Sequence, residues 1–100
     1  MLYATVKLYG KNGIPGEFKE YESKALSIFR KYGGEVIVAY KPHAGDNKVE
    51  VPDEIQILKI STQISFDNFM KDPDRLALAK ERESVIRKTE VFLSNEIIQY

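Results

Sequence analysis

Between residues 17 and 40 the spacing of apolar side chains changes period. Phe18, Tyr21, Ala25, Ile28, Phe29 and Tyr32 recur in steps of three and four, which puts them on one face of a helix. Glu17, Lys19, Glu20, Ser23, Lys24, Ser27, Arg30 and Lys31 take the other face. Gly33 and Gly34 then stop the helix, because glycine enters the left-handed geometry beyond a C-terminus at little cost. Val36, Ile37 and Val38 follow at once, and a β-branched run favours a strand over Glu35–Lys41.

The rest of the chain shows the same two periods. Leu2, Ala4, Val6 and Leu8 alternate with Tyr3, Thr5, Lys7 and Tyr9, the pattern of a strand. The first set is purely apolar and is expected beneath a helical layer. The second is amphipathic and suits a half-exposed sheet face, a partner or a cavity. Residues 10 to 16, GKNGIPG, form a loop whose glycines match neither the dinucleotide fingerprint nor the P-loop. Pro15 is expected close to the helix start, where its missing N–H costs nothing.

Residues 41 to 53 are a second loop, punctuated by Pro42, Gly45, Asp46, Asn47 and Pro52. Glu54–Ser61 is expected as a strand with apolar residues on both faces, as befits a central position. Thr62 or Ser65 caps the next helix, where Phe66, Phe69 and Met70 share a core face. Asp72-Pro73 breaks it: Asp72 is placed to cap a second piece, with Pro73 in its first turn. Leu76, Ala79, Glu83 and Ile86 continue that piece, with Leu78 and Val85 alongside. Glu90–Tyr100 is expected as the last strand.

The order strand, helix, strand, strand, helix, strand makes an α+β domain of the ferredoxin-like βαββαβ type over residues 1–100. Both helices should cover one face of a four-stranded antiparallel sheet, with the first and third strands in the middle.

Composition narrows the partners. Lys plus Arg and Asp plus Glu both number 15, so no strongly basic surface advertises nucleic acid. The absence of cysteine excludes disulfides, thiolate metal sites and a thiol nucleophile. No apolar run approaches a membrane span, and the first residues do not read as a signal peptide. A cytoplasmic protein is expected.

Two stretches carry a resemblance. Lys71 to Val91, KDPDRLALAKERESVIRKTEV, has an Asp-Pro break, spaced arginines (Arg75, Arg82, Arg87) and a Thr89-Glu90-Val91 strand entry. Phe18 to Ile37 has a helix that ends in Tyr-Gly-Gly. In both, the chain resembles a family of small uncharacterised proteins in the dimeric α/β-barrel superfamily. The resemblance implies a homodimer closed through the sheets and a pocket between sheet and helices. It implies no activity, because that family has none established. The wider superfamily includes cofactor-light monooxygenases, haem-degrading enzymes and lactone isomerases, whose oxygenase members typically use Asn, Trp and His. Here there is no tryptophan, and the single histidine, His43, sits in a loop.

Three roles are open at this point. An enzyme would use His43 as base, Lys7 or Lys59 as electrostatic stabiliser, and Tyr3 or Tyr40 as proton donor. A binding protein would offer Arg75 and Arg82, on one helix, to a small organic or anionic ligand. An interaction protein would need only its dimer surface. His43 with Asp46 and Asp53 is too irregular a set to predict a metal. With no cysteine, and no histidine on a helix or strand, haem is not expected, and no other cofactor is indicated. A homodimer is expected because Tyr3, Tyr9, the second strand and one face of the third would leave a bare apolar sheet face.

Overall fold

The computed structural model describes residues 1–13, 16–45 and 50–100. Pro15 and Asp46 lie outside them. The elements are β1 (Leu2–Gly10), α1 (Glu17–Lys31), β2 (Glu35–Tyr40), β3 (Glu54–Ile60), α2 (Gln63–Met70), α3 (Pro73–Leu76), α4 (Ala79–Val85) and β4 (Ile86–Ser94). The strands form one antiparallel sheet in the order β2-β3-β1-β4, so β1 and β3 are central. This is the ferredoxin-like α+β fold.

The alternation in β1 decides which face is covered. Ala4 stands opposite Leu58 on β3 and Leu93 on β4; Val6 stands opposite Gln56 and Val91. These residues share the helix side with Leu2, Leu8 and Ile60. Tyr3, Thr5 and Lys7 share the other side with Ile55, Ile57 and Phe92. Phe29 of α1, only 1% exposed, sits over Leu2, Ala4, Leu58 and Ile60. A second cluster gathers Leu8, Tyr21, Val85 and Ile86.

Helix ends follow the local chemistry. α1 carries Glu17 and Glu20 in its first turn and Arg30 and Lys31 in its last, both favourable to the helix dipole. Gly33 takes φ +80, the left-handed exit expected of it. Gly34 is needed for another reason: a methyl group there would overlap the Phe29 ring. The Thr62 hydroxyl oxygen caps α2 by accepting from Ser65 N at 3.1 Å.

The break at Asp72-Pro73 is present. Asp72 Oδ1 accepts from the amides of Asp74 and Arg75 at 2.8 and 3.0 Å. Its Oδ2 accepts from the Tyr32 hydroxyl at 2.5 Å, tying the break to the end of α1. These bonds hold the Asp72 carboxyl below its ordinary range, the Tyr32 bond contributing most. Asp72→Ala is expected to lower the melting temperature by about 5 °C, followed by circular dichroism, because a lost cap destabilises the whole cooperative unit. An unchanged melt would remove the capping role.

The structure departs from the sequence reading mainly near the C-terminus. The last strand begins at Ile86, not Glu90, and ends at Ser94 rather than Tyr100. Ile86 is buried opposite Gly10, and Lys88 and Thr89 pair with Tyr9 and Leu8, so pairing with β1 overrides the helical spacing of Leu76, Ala79, Glu83 and Ile86. The second piece is also divided in two, α3 and α4. Met70 is exposed rather than buried in the core. Tyr9, in contrast, is buried, and its hydroxyl donates to Glu90 Oε1 at 2.7 Å.

Candidate functional site

Helices α1 to α4 do not fill the space above the sheet. A cavity of about 450 Å³ lies between them and β1, β3 and β4. Its walls are mostly apolar, with Val6, Leu58, Phe29, Phe66, Phe69 and Val91 prominent. Its polar groups are Tyr21 and Glu22 of α1, Gln56 of β3, Arg75 of α3, Arg82 of α4 and Thr89 of β4. Val91, Leu93 and Met70 are exposed on the same lining, so the mouth lies towards β4 and the end of α2.

Glu22 is the unusual member. It sits on the covered face of α1, one turn from Phe18 and from Leu26, and is only 8% exposed. Gln56, 2% exposed in the central strand β3, donates its side-chain amide to Glu22 Oε1 at 3.0 Å and to Glu54 Oε2 at 2.7 Å. Burial pushes the Glu22 carboxyl from an ordinary 4.5 up to about 7. The Gln56 bond works against that rise, the Glu54 charge adds to it, and the Arg82 charge opposes it. Oε2 accepts no hydrogen bond among the described residues. Because no fully buried side-chain oxygen there lacks a partner, Oε2 keeps some accessible surface, on a side chain that lines the cavity.

The two arginines are held in place by neutral groups. Arg82 Nη2 donates to Thr89 Oγ1 at 2.7 Å. Arg75 Nη1 donates to the Met70 carbonyl at 3.0 Å, and its guanidinium lies 5.2 Å from the Phe69 ring centre. Both charges reach Tyr21, lowering its pKa, although burial holds that hydroxyl above its ordinary value. The cavity therefore combines aromatic walls with two guanidinium groups, a phenol and a carboxyl group that changes charge near neutral pH.

The residues singled out from sequence divide between two faces. Arg75 and Arg82 line the cavity. Tyr3, Lys7 and Tyr40 share the open face of the sheet, where Lys7 Nζ lies 5.5 Å from the Phe92 ring centre. Lys59 lies on that face too, paired with Glu35 at 3.3 Å. His43 is exposed beyond β2. Asp53 supports the β1 turn, its Oδ2 accepting from Gly10 N at 2.6 Å. Sequence reasoning passed over Glu22 and Gln56. A signal for Glu22 was present: positions 18, 22, 25 and 29 fall on one helical stripe, and three of them are apolar.

No group of three or more His, Cys, Asp or Glu residues able to hold a metal occurs among the described residues. No helix there is long and apolar enough to cross a membrane.

No protein-family model matches the chain, and neither does any curated protein. Solved structures do. A protein of unknown function from Rhodopseudomonas palustris superposes with a TM-score of 0.80 at 13% identity, over 98% of this chain and 83% of that one. The cofactor-independent oxygenase SnoaB of Streptomyces nogalater gives 0.71 at 14% identity, over 98% and 94%. A DABB family protein with a ferredoxin-like fold, from Mesorhizobium loti, gives 0.69 at 15% identity, over 96% of each chain. At these identities the likeness is one of fold: this chain shares a ferredoxin-like architecture with proteins largely of unknown function.

Proposed function

We propose that the protein is a small-molecule-binding homodimer whose cavity takes an organic anion with an apolar body of aromatic size. The observation that carries this reading is the cavity itself, about 450 Å³, apolar on its walls, with Arg75 and Arg82 among its few polar groups. That is the composition of a ligand site: apolar surface supplies affinity and a few charges fix orientation. A guanidinium already held by Thr89 or Met70 loses little freedom when it meets a carboxylate.

Calorimetry with 1-naphthoate tests the reading. One molecule is expected per chain, with Arg82→Ala weakening binding about tenfold or more and Lys7→Ala leaving it unchanged. Absence of binding, or equal effects of the two substitutions, would contradict it.

The dimer is supported by the open face. Val38, Tyr40 and Phe92 are exposed there beside Ile55 and Ile57, and Ile37 is exposed on the same strand as Val38 and Tyr40. The face also carries Lys7 and Lys59 together with Glu35 and Glu90, so a second copy turned about a two-fold axis can meet opposite charges. A Cα envelope only 16 Å thick matches one sheet and one helical layer, and among the described residues no second layer covers that face. An interface of about 1,600 Å² or more would cover it and close the barrel. Light scattering at micromolar concentration should give twice the chain mass of 11.5 kDa; a stable particle of one chain mass would refute the dimer. The cysteine-free chain suits a reducing cytoplasm, where we place its work.

A further inference from the structure

Most of the cavity's chemistry is accounted for by binding, but Glu22 is not. Recognition of an anion by Arg75 and Arg82 has no need of a carboxyl group beside it, and a negative Glu22 would oppose it. A purely structural acid, in turn, would be expected to spend both oxygens on protein donors. Here Gln56 holds Oε1, while Oε2 takes no donor among the described residues and keeps accessible surface, on a side chain that lines the cavity. The holder is itself rigid: Gln56 lies in a central strand, and its amide spans Glu22 and Glu54.

We infer that Glu22 is the proton acceptor and donor for an enolisable carbonyl acid bound in this cavity, making the protein a catalyst of proton shifts next to a carbonyl group. The inference rests on the binding reading above and adds a reaction to it. The substrate class is an organic anion whose carbonyl group carries an activated C–H bond on the adjacent carbon. In the forward step that C–H bond breaks and its proton goes to a Glu22 carboxylate oxygen. The electron pair forms the C=C bond of an enolate as the C=O π pair moves onto oxygen. In the second step Glu22 returns a proton, to carbon or to oxygen. The balance closes without oxidant, reductant or further reactant.

The surroundings suit both halves of the cycle. A base serves best when its pKa lies near the working pH, and burial brings Glu22 there. Arg82 and Arg75 on α4 and α3 supply positive charge for the enolate oxygen, in a site whose apolar walls strengthen that attraction. The charged and titratable groups around Glu22 are Glu54 on β3, which raises its pKa, and Arg82 on α4, which lowers it, with Tyr21 beside it on α1. Gln56 is a positioning residue: its amide donor favours the carboxylate form.

The test uses phenylpyruvate, an aromatic 2-oxo acid with an activated C3–H bond, in deuterium oxide. Proton NMR follows both binding, by line broadening and chemical shift, and loss of the C3 protons. The parent is expected to bind and to accelerate exchange, with a rate that rises through about pH 7, the value to which burial raises Glu22. Glu22→Gln should still bind but lose about 100-fold or more of the exchange rate, the scale of a missing general base. Gln56→Leu should move the pH midpoint of exchange upward, because the amide that favours the carboxylate form is gone, an effect that a merely structural Gln56 would not produce. Binding without accelerated exchange, or exchange unchanged by Glu22→Gln, would overturn the proton-transfer role and leave the binding reading intact. Failure of phenylpyruvate to bind would overturn both.

Discussion

Phe29→Ala should lower the stability of the protein by about 4 kcal/mol, the usual cost of cutting a buried aromatic ring back to a methyl group. Small domains are stable by only some 5 to 15 kcal/mol, so this one change would bring the protein to the edge of unfolding. The reason lies in what the ring joins. Phe29 comes from α1, yet it packs on Leu2 and Ala4 of β1 and on Leu58 and Ile60 of β3. On its other side it meets Phe69 of α2 edge-on, ring centres 5.1 Å apart. The same ring leaves no room for a side chain at Gly34. Removing it opens a void where helices and sheet meet, and the wall that collapses into that void is also a wall of the cavity. Urea unfolding should show the midpoint falling with little change in slope. A loss below about 1 kcal/mol would mean that Phe29 is not central to the core.

The second large effect depends on pH. Glu22→Gln is expected to stabilise the protein by about 3 kcal/mol at pH 8.5 and to change it little at pH 4. Below about pH 4.5 Glu22 is protonated in the folded and unfolded chains alike, and the substitution removes little. Between 4.5 and about 7 the unfolded chain releases the proton while the folded chain keeps it. Raising the pH through that window therefore favours unfolding. Above about 7 both states are ionised, and the cost of a charge in an apolar wall is fully present. The parent should thus lose stability from pH 4.5 to 7 relative to the Gln variant, then run parallel to it. Asp72 and Glu90 act in the opposite sense: hydrogen bonds from Tyr32 and Tyr9 hold their pKa values low, so they favour folding as pH rises through the acid range. Subtracting the variant's profile from the parent's isolates Glu22. Equal stabilities at all pH values would show that its carboxyl group is not buried as described.

A protein that keeps such a group in its core accepts a standing loss of stability at neutral pH. That is the pattern of a site in which function and stability conflict. It also explains why sequence reasoning stopped short of the site. The helical stripe through Phe18, Ala25 and Phe29 was legible, and so were the glycine stop, the alternation of β1 and the Asp72-Pro73 break, because each rests on local sterics or side-chain polarity. Glu22 lies on that stripe, but a single charged residue reads as solvated until its neighbours in space are known. Gln56 likewise is one polar residue in a strand read as apolar on both faces, and only the register against Val6 turns it towards the helices. The start of β4 was hidden for a related reason. Ile86 fits a helical step after Glu83 as well as it fits a strand, and only pairing with β1 decides between them. Arg75 and Arg82 were legible as candidates because their spacing put them together on one helix. Their common approach to Tyr21, from α3 and α4, belongs to the tertiary structure.

The proposed function requires the space between helices and sheet to be a ligand site. Amide and methyl NMR spectra recorded during a titration with 1-naphthoate test it most directly, because they report where the molecule sits. Shifts are expected to concentrate at Val6, Leu58, Val91, Thr89 and the Arg82 side chain, which line the cavity. Thr5, Ile57 and Val38 on the open face should stay still. Shifts confined to that open face, or none at saturating concentration, would contradict it.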